Sequence, residues 1–222
     1  YCFFKKLSFT LAEVLITLVI IGIIAAITVP VVMSNYRKVE TASKLKKFYS
    51  NLSNAVRLVE TEVGTPVNQW ENIDEPNYDE YVYNMELVYQ KLSAQKYDAP
   101  ISYLGDDENS PMYCEGNIWM ETYLLPDGTI MGIELFGGDE KDLDYISIDI
   151  NGEKGPNVCG RDIFNFIVNT NDSSIQAPVR FAGSQYKTRE AKLQACKTGL
   201  RYCTGLIALD GWEIKKDYPH KI

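Results

Sequence analysis

The side chains that could do chemistry in this 222-residue chain are five cysteines, one histidine and an excess of carboxylates. Because His220 is the only histidine, neither a zinc site built on several histidines nor a histidine-based catalytic triad is expected. The sequence has no GxSxG motif and no P-loop, which mark many serine hydrolases and nucleotide-dependent enzymes. These features predict that the chain is not an enzyme.

The carboxylates outnumber the basic side chains by 30 to 22, which gives a formal net charge of −8. A protein that binds the phosphate backbone of a nucleic acid needs an excess of lysine and arginine, so no nucleic-acid partner is expected. The one basic stretch of the C-terminal part runs from Lys187 to Arg201. The acidity lies in residues 60–153, where 22 acidic residues accompany three lysines, and its simplest interpretation is a solvated surface that keeps the protein soluble.

Four carboxylates of this acidic region stand close together: Asp139, Glu140, Asp142 and Asp144. Hard cations bind several oxygen ligands at once, so these four residues are candidate calcium ligands. Their spacing does not follow the EF-hand pattern, and a solvated cluster of acids is the alternative interpretation. No other cofactor is expected.

Four of the five cysteines follow a long apolar segment: Cys114, Cys159, Cys196 and Cys203. An even number of cysteines in an exported domain predicts disulfides. A bond between Cys196 and Cys203 would close a short loop and leave Cys114 to pair with Cys159, although the sequence allows three connectivities.

The apolar segment itself, Val14 to Met33, is 20 residues long and contains no charge. A helix of about 20 apolar residues crosses a bilayer, and the segment exceeds the roughly 7–15-residue apolar core of a cleaved secretory signal. Lys5 and Lys6 precede it, which predicts a cytoplasmic N-terminus and an exported remainder. Basic residues also follow it, but a large domain is translocated largely regardless of charge.

Glu13 lies directly before this apolar run. An ionisable side chain that enters a bilayer is costly unless it finds a partner, and such a residue is a functional candidate by default. The alternative is a carboxylate at the first turn of a helix, where the helix dipole stabilises it.

The segment from Lys5 to Leu15, KKLSFTLAEVL, resembles the N-terminal signature of type IV pilins and type II secretion pseudopilins. The resemblance implies that prepilin peptidase cuts between Ser8 and Phe9 and methylates the new amino group of Phe9. The family usually has glycine before the cut, where this chain has Ser8. A second segment, from Asp149 to Phe164, resembles the D-x-N-G-x-x-G-P-N … G-x-D-x-F segment of many pilin-like heads.

The same resemblance gives Glu13 and Pro30 roles in assembly. In a filament, Glu13 of one subunit can neutralise the Phe9 amino group of its neighbour, so that each charge supplies the partner that the other lacks. Pro30 matches a position where pilin helices commonly carry proline. It has no N–H and clashes with the preceding turn, so it is expected to kink or locally melt the helix.

The predicted fold is α+β: a long N-terminal transmembrane helix continues into a globular head with an antiparallel sheet. Residues 1–8 are the cytoplasmic leader, residues 9–64 the helix, and residues 65–222 the exported head. The helix is transmembrane over 14–33 and amphipathic over 34–64. In the head the patterns predict a helix over 79–95, strands over 118–125, 145–150 and 162–168, a hairpin over 124–135, and two edge strands over 205–214.

These features together predict a structural subunit of a type IV pilus or a type II secretion-like pseudopilus. The implied partners are copies of itself, other pilins, prepilin peptidase, the membrane platform with its assembly ATPase, and the lipid bilayer before assembly. The implied location is the cytoplasmic membrane, in a single pass with the head exported, and then an extracellular or periplasmic filament. The alternative is a membrane-anchored extracellular binding module or adhesin that does not polymerise.

Overall fold

The computed structural model describes residues 10–70, 78–98, 121–134, 143–169, 177–183 and 185–222. The helices are α1 (Leu11–Val63), α2 (Tyr78–Lys91), α3 (Arg189–Thr198) and α4 (Cys203–Leu209). The strands are β1 (Gln95–Lys96), β2 (Glu121–Leu124), β3 (Ile130–Glu134), β4 (Leu143–Asp149), β5 (Ile163–Asn169) and β6 (Val179–Phe181). The chain divides into two units, residues 1–38 and 39–222. The predicted α+β fold with a long N-terminal helix is confirmed.

The first half of α1 is apolar and uncovered. By length and composition α1 could cross a membrane, and none of its most apolar stretch is buried within the chain. The two threonines of this stretch bond to the helix itself, Thr17 Oγ1 donating to Val14 O (2.8 Å) and Thr28 Oγ1 to Ile24 O (2.9 Å). Because these hydroxyls need no outside partner, they do not oppose placement in lipid.

Pro30 lies inside α1, and the helix continues through it. Local melting, one of the two expected effects, is therefore wrong for this structure, and the expected kink stays a prediction. A proline removes one backbone N–H donor from the helix ladder, and the hydrogen bonds of the residues on both sides are enough to keep the helical conformation.

The second half of α1 is amphipathic, and its buried residues recur at intervals of three and four: Thr41, Ala42, Leu45, Phe48, Leu52, Ala55, Val56 and Val59. Tyr36 and Val39 are exposed, although the predicted amphipathic stretch starts at residue 34, so the covered face begins at Thr41. The helix ends at the predicted stop, where Gly64 adopts a φ of +81° and its N–H donates to Glu60 O (3.0 Å). Glycine reaches this left-handed conformation without steric cost.

The head is built on a six-stranded sheet in the order β1-β2-β3-β4-β5-β6, with every neighbouring pair antiparallel. The predicted hairpin is confirmed: β2 and β3 are joined at residues 125–129, and Leu125 N donates to Thr129 O (2.9 Å). The amphipathic half of α1 shares one core with the sheet. The ring centroids of Phe48 on α1 and Phe166 on β5 are 5.0 Å apart, so aromatic packing joins helix and sheet.

The C-terminal region differs from its prediction. Residues 205–214 were expected to form two edge strands around Asp210-Gly211, but α4 occupies Cys203–Leu209. Its buried residues Cys203, Leu206 and Ile207 follow helical spacing, and a short apolar run does not distinguish helix from strand. Gly211, with a φ of +78°, ends the helix and not a hairpin, because its N–H donates to Ala208 O (3.1 Å).

Candidate functional site

Glu13 closes a capping box at the start of α1. Its Oε2 accepts hydrogen bonds from the backbone N–H of Thr10 (2.8 Å) and from Thr10 Oγ1 (2.8 Å). In return the N–H of Glu13 donates to Thr10 Oγ1 (3.3 Å). Reciprocal bonds of this kind satisfy N–H groups that the first turn of a helix leaves free. The Thr-x-x-Glu spacing could have predicted this arrangement from the sequence.

The capping box uses only one of the two carboxylate oxygens. Within the described part of the chain, Glu13 Oε1 accepts no hydrogen bond, and the side chain is exposed. The carboxylate can therefore accept a second, external donor while it caps the helix. The predicted cleavage residues, Ser8 and Phe9, lie outside the described residues.

A broad apolar surface follows Glu13. From Val14 to Met33 the large aliphatic side chains that the structure describes are 43–67% exposed. Gly22 lies in this surface, and a Cβ added there would meet no atom within 4 Å. The apolar surface and Gly22 are thus free to contact lipid or other helices, and small residues such as glycine allow helices to approach closely.

The β4–β5 connection contains the second segment that resembles pilin-like heads, and Asp162 organises it. The Asp162 carboxylate accepts hydrogen bonds from the backbone N–H groups of Asn157 (2.9 Å) and Val158 (2.6 Å) and from Asn151 Nδ2 (3.3 Å). Asp149 Oδ1 accepts from the N–H of Asn151 (3.0 Å). Both aspartates are buried, so these carboxylates hold the loop in shape.

Two of the three glycines of this loop, Gly152 and Gly160, are required by close contacts. Gly152 has a φ of +67°, and a Cβ there would lie 2.9 Å from Gly128 O in the hairpin turn. Gly160 has a φ of +75°, and a Cβ there would lie 3.0 Å from His220 Cδ2. The hydroxyl of Tyr218 donates to Gly160 O (2.6 Å). The motif is therefore a structural junction of loop, hairpin and C-terminal tail.

Disulfide bonds cross-link the region around this loop and the C-terminal helices. Cys196 on α3 is bonded to Cys203 at the start of α4, which is the pair that the sequence favours. Cys159 is also disulfide-bonded, and Cys114, its predicted partner, lies outside the described residues. The sulfurs of Cys196 and Cys203 and a nitrogen of His220 lie within 4.8 Å of one another, but two sulfurs joined to each other are not thiolate ligands.

The predicted calcium ligands remain a prediction. Asp139, Glu140 and Asp142 lie outside the described residues. Asp144 belongs to β4, where it pairs with Val168 of β5.

An ion network joins α3 to the C-terminal tail. Arg189 donates to both oxygens of Asp210 (2.7 and 2.9 Å) and to both of Asp217 (2.7 and 2.8 Å), and Lys215 also donates to Asp210 (2.8 Å). Burial favours a higher pKa for Asp210, but the hydrogen bonds from Arg189 and Lys215 outweigh it and hold the pKa below its ordinary value. These bonds fix the tail on α3.

The basic stretch from Lys187 to Arg201 is therefore less basic than its sequence indicates. The carboxylates of Asp210 and Asp217 neutralise Arg189. Lys192 is buried and donates to Gly183 O (2.7 Å), and burial lowers its pKa.

A cavity of about 300 Å³ lies between α1, the end of α2 and the β2–β3 hairpin. Its floor is apolar, and two lysines of α1 stand at its rim. Lys44 Nζ donates to Ile150 O (2.9 Å) and Lys47 Nζ to Asp127 Oδ2 (2.9 Å). These bonds tie α1 to the sheet, so the ammonium groups of Lys44 and Lys47 already have hydrogen-bond acceptors within the head.

Two family models match the chain. The prokaryotic N-terminal methylation motif, which is the type IV pilin and pseudopilin signature, matches residues 4–29, and this confirms the resemblance drawn from the sequence. A family of unknown function, DUF6613, matches residues 31–222. No curated protein and no solved structure matches the chain. The chain thus belongs to the DUF6613 family and carries the N-terminal methylation motif of pilin-like proteins before it.

Proposed function

We propose that this chain is a structural subunit of a type IV pilus or a type II secretion-like pseudopilus, and not an enzyme. The main support is that the methylation motif and the exposed apolar surface lie on the same part of α1. The methylation motif at residues 4–29 covers the start of α1, where none of the residues that the structure describes covers the apolar surface. An exposed apolar helix needs lipid or other helices as its surroundings, and a filament core built of such helices would supply them.

The proposed course has three stages. The chain first rests in the cytoplasmic membrane as a single-pass protein with its head exported. Prepilin peptidase then cuts between Ser8 and Phe9 and methylates the amino group of Phe9. Finally the membrane platform and the assembly ATPase extract the subunit into a filament that contains copies of this chain or other pilins. The extraction energy comes from that ATPase, because the chain has no nucleotide-binding motif.

Each half of α1 serves one part of this function. The half before residue 39 offers the apolar surface to lipid or to neighbouring helices. The half from Thr41 onward has its apolar face buried in the head, and Lys44 and Lys47 tie it to the sheet. A pull on the helix therefore moves the head with it, because separating the two would expose a shared core.

Processing is the direct test of this function. Membranes containing the full chain are incubated with a methyl donor, in the presence and in the absence of prepilin peptidase, and the intact mass and N-terminal residue are measured. We expect a product that begins at Phe9 and carries one added methyl group, formed only with the peptidase. The Ser8→Gly variant is the matched control, and it is expected to be cut at least as fast, since glycine is the usual residue before the cut.

An uncut chain in both forms would contradict the proposal. It would favour the alternative of a permanently anchored binding module, for which the capping box alone would explain Glu13. A chain that is cut only as Ser8→Gly would also contradict it, because the natural sequence would then not be a substrate.

A further inference from the structure

The two edges of the sheet carry different elements. Beside the β1 edge lies α2, where the ring centroids of Tyr89 on α2 and Tyr123 on β2 are 5.0 Å apart. Beside the β6 edge lie α3 and α4. Lys192 of α3 donates to Gly183 O just after β6, and Thr204 of α4 accepts from the N–H of Asn165 on β5. With antiparallel strands about 4.8 Å apart, the two edges of a six-stranded sheet are about 24 Å apart.

The β1 edge is acidic. Its carboxylates, which we call the acidic edge, are Glu86, Asp98, Glu121 and Glu153. Three of them surround Lys96: Glu121 accepts a hydrogen bond from Lys96 (2.8 Å), and the charges of Asp98 and Glu86 also raise the pKa of Lys96. Glu153 accepts from the hydroxyl of the adjacent Tyr97. Lys154, which follows Glu153, is also exposed. Two lysines against four carboxylates leave a local charge of about −2 near neutral pH among these described residues.

The β6 edge is basic. Its exposed cations, which we call the basic edge, are Lys187, Lys197, Lys216 and Lys221. They lie along α3. Lys187 precedes the helix. Lys216 lies near its first turn, because the neighbouring Asp217 binds Arg189 there. Lys221 lies near its last turn, because the neighbouring His220 contacts Cys196 O (2.9 Å).

Within the described part of the head, the basic edge is not neutralised. Of the residues that the structure describes, none forms an ion pair with any of its four lysines. The neighbouring charges Arg189 and Lys215 cancel against Asp210 and Asp217. Two other acids of this region, Glu190 and Glu213, are exposed, and they do not outnumber the lysines.

Opposite charges at opposite edges of one sheet cannot meet within one head. They are too far apart for a direct contact, and the separation exceeds the Debye length of about 8 Å at physiological salt. They can meet when two copies stack edge to edge. A contact between two different patches of identical subunits is heterologous, and unless it closes into a ring it continues as an open helical filament.

We propose that the basic edge of one head binds the acidic edge of the next copy of this chain. The inference rests on the proposed function, since it places this contact between neighbouring subunits of a filament. It also gives the charge separation in the sequence a purpose beyond solubility. The contact would set which face of a head meets its neighbour, as electrostatic complementarity does at other interfaces.

Charge reversal with mixing tests this contact. The first variant is Lys187→Glu, Lys197→Glu, Lys221→Glu; the second is Glu86→Lys, Asp98→Lys, Glu153→Lys. All six side chains are exposed, so folding should be preserved, and this is checked by thermal unfolding of each chain.

Each variant alone should enter filaments at least about tenfold less than the parent chain, because like charges then face each other. Co-expression of the two variants should restore assembly, because each reversed edge then meets an edge of opposite charge.

The matched control replaces the same three lysines by arginine, which keeps the charge, and is expected to assemble as the parent does. Parental assembly by either reversed variant alone would overturn the inference, since the edges would then face solvent or another kind of partner. Failure of the folded variants to rescue each other would overturn it as well. Failure of the proposed function would be visible separately, as an absence of filaments from the unsubstituted chain.

Discussion

The Glu13→Ala variant is expected to be exported and cut normally but to be absent from filaments. In the proposed filament, the Glu13 carboxylate neutralises the Phe9 amino group of a neighbour in an apolar bundle. Removal of one partner from a buried ion pair costs about 3 kcal/mol or more, which corresponds to about a hundredfold weaker association per contact. The measurement is the share of the chain in the sheared filament fraction against the share in the membrane.

The capping box makes a sharper control available. Glutamine also serves at this position of a capping box, so Glu13→Gln should keep the hydrogen bond from Thr10 while removing the charge. If Glu13 acts by its charge, the glutamine variant is lost from filaments as the alanine variant is. If it acts only as a helix cap, the glutamine variant assembles normally, and the role proposed for the charge is wrong.

The Phe166→Ala variant is expected to lower the free energy of unfolding of the head by about 3–5 kcal/mol. Phe166 is fully buried, and its ring lies 5.0 Å from that of Phe48 and 6.1 Å from that of Phe181. Its truncation leaves a cavity where α1 meets the sheet. The measurement is denaturant unfolding of the full chain in detergent.

Leu58→Ala is the matched control, because Leu58 lies on the same helix but is 57% exposed. It should change the free energy of unfolding by no more than about 0.5 kcal/mol. Equal losses in the two variants would mean that α1 and the sheet do not share the core described above.

The elements that the sequence predicted well are those with a strong local pattern. The uncharged run from Val14 to Met33 and the spacing of three and four residues from Leu45 to Val59 leave little alternative to one long helix. The Pro-Asp-Gly turn at 126–128 lies between two apolar runs, and it fixed the β2–β3 hairpin. Each of these patterns depends only on neighbours along the chain.

The elements that the sequence predicted poorly depend on contacts distant along the chain. The apolar run of α4 is too short to distinguish helix from strand, and its helical form is set by packing against β5 and by the bond from Cys203 to Cys196. The sequence does not show that Asp162 holds the β4–β5 loop in shape, because its donors on Asn151 and Asn157 reach its carboxylate only in the folded loop. The separation of acidic and basic edges follows from the strand order, which composition does not reveal.

Glu13 shows what the structure adds to a candidate residue. Its position beside the apolar run makes it a functional candidate, and it lies within the methylation motif. The structure adds that Thr10 already binds one of its oxygens. The carboxylate therefore has a local structural role as well as the intersubunit role that we propose, and substitutions must separate the two.

The composition of purified filaments tests the central claim most directly. Cells that produce the full chain, prepilin peptidase and the assembly machinery are sheared, and the intact masses of the polypeptides in the filament fraction are measured. We expect residues 9–222 of this chain with one added methyl group on Phe9. Absence of this polypeptide from the filament fraction, with the processed chain retained in the membrane, would contradict a role as a filament subunit.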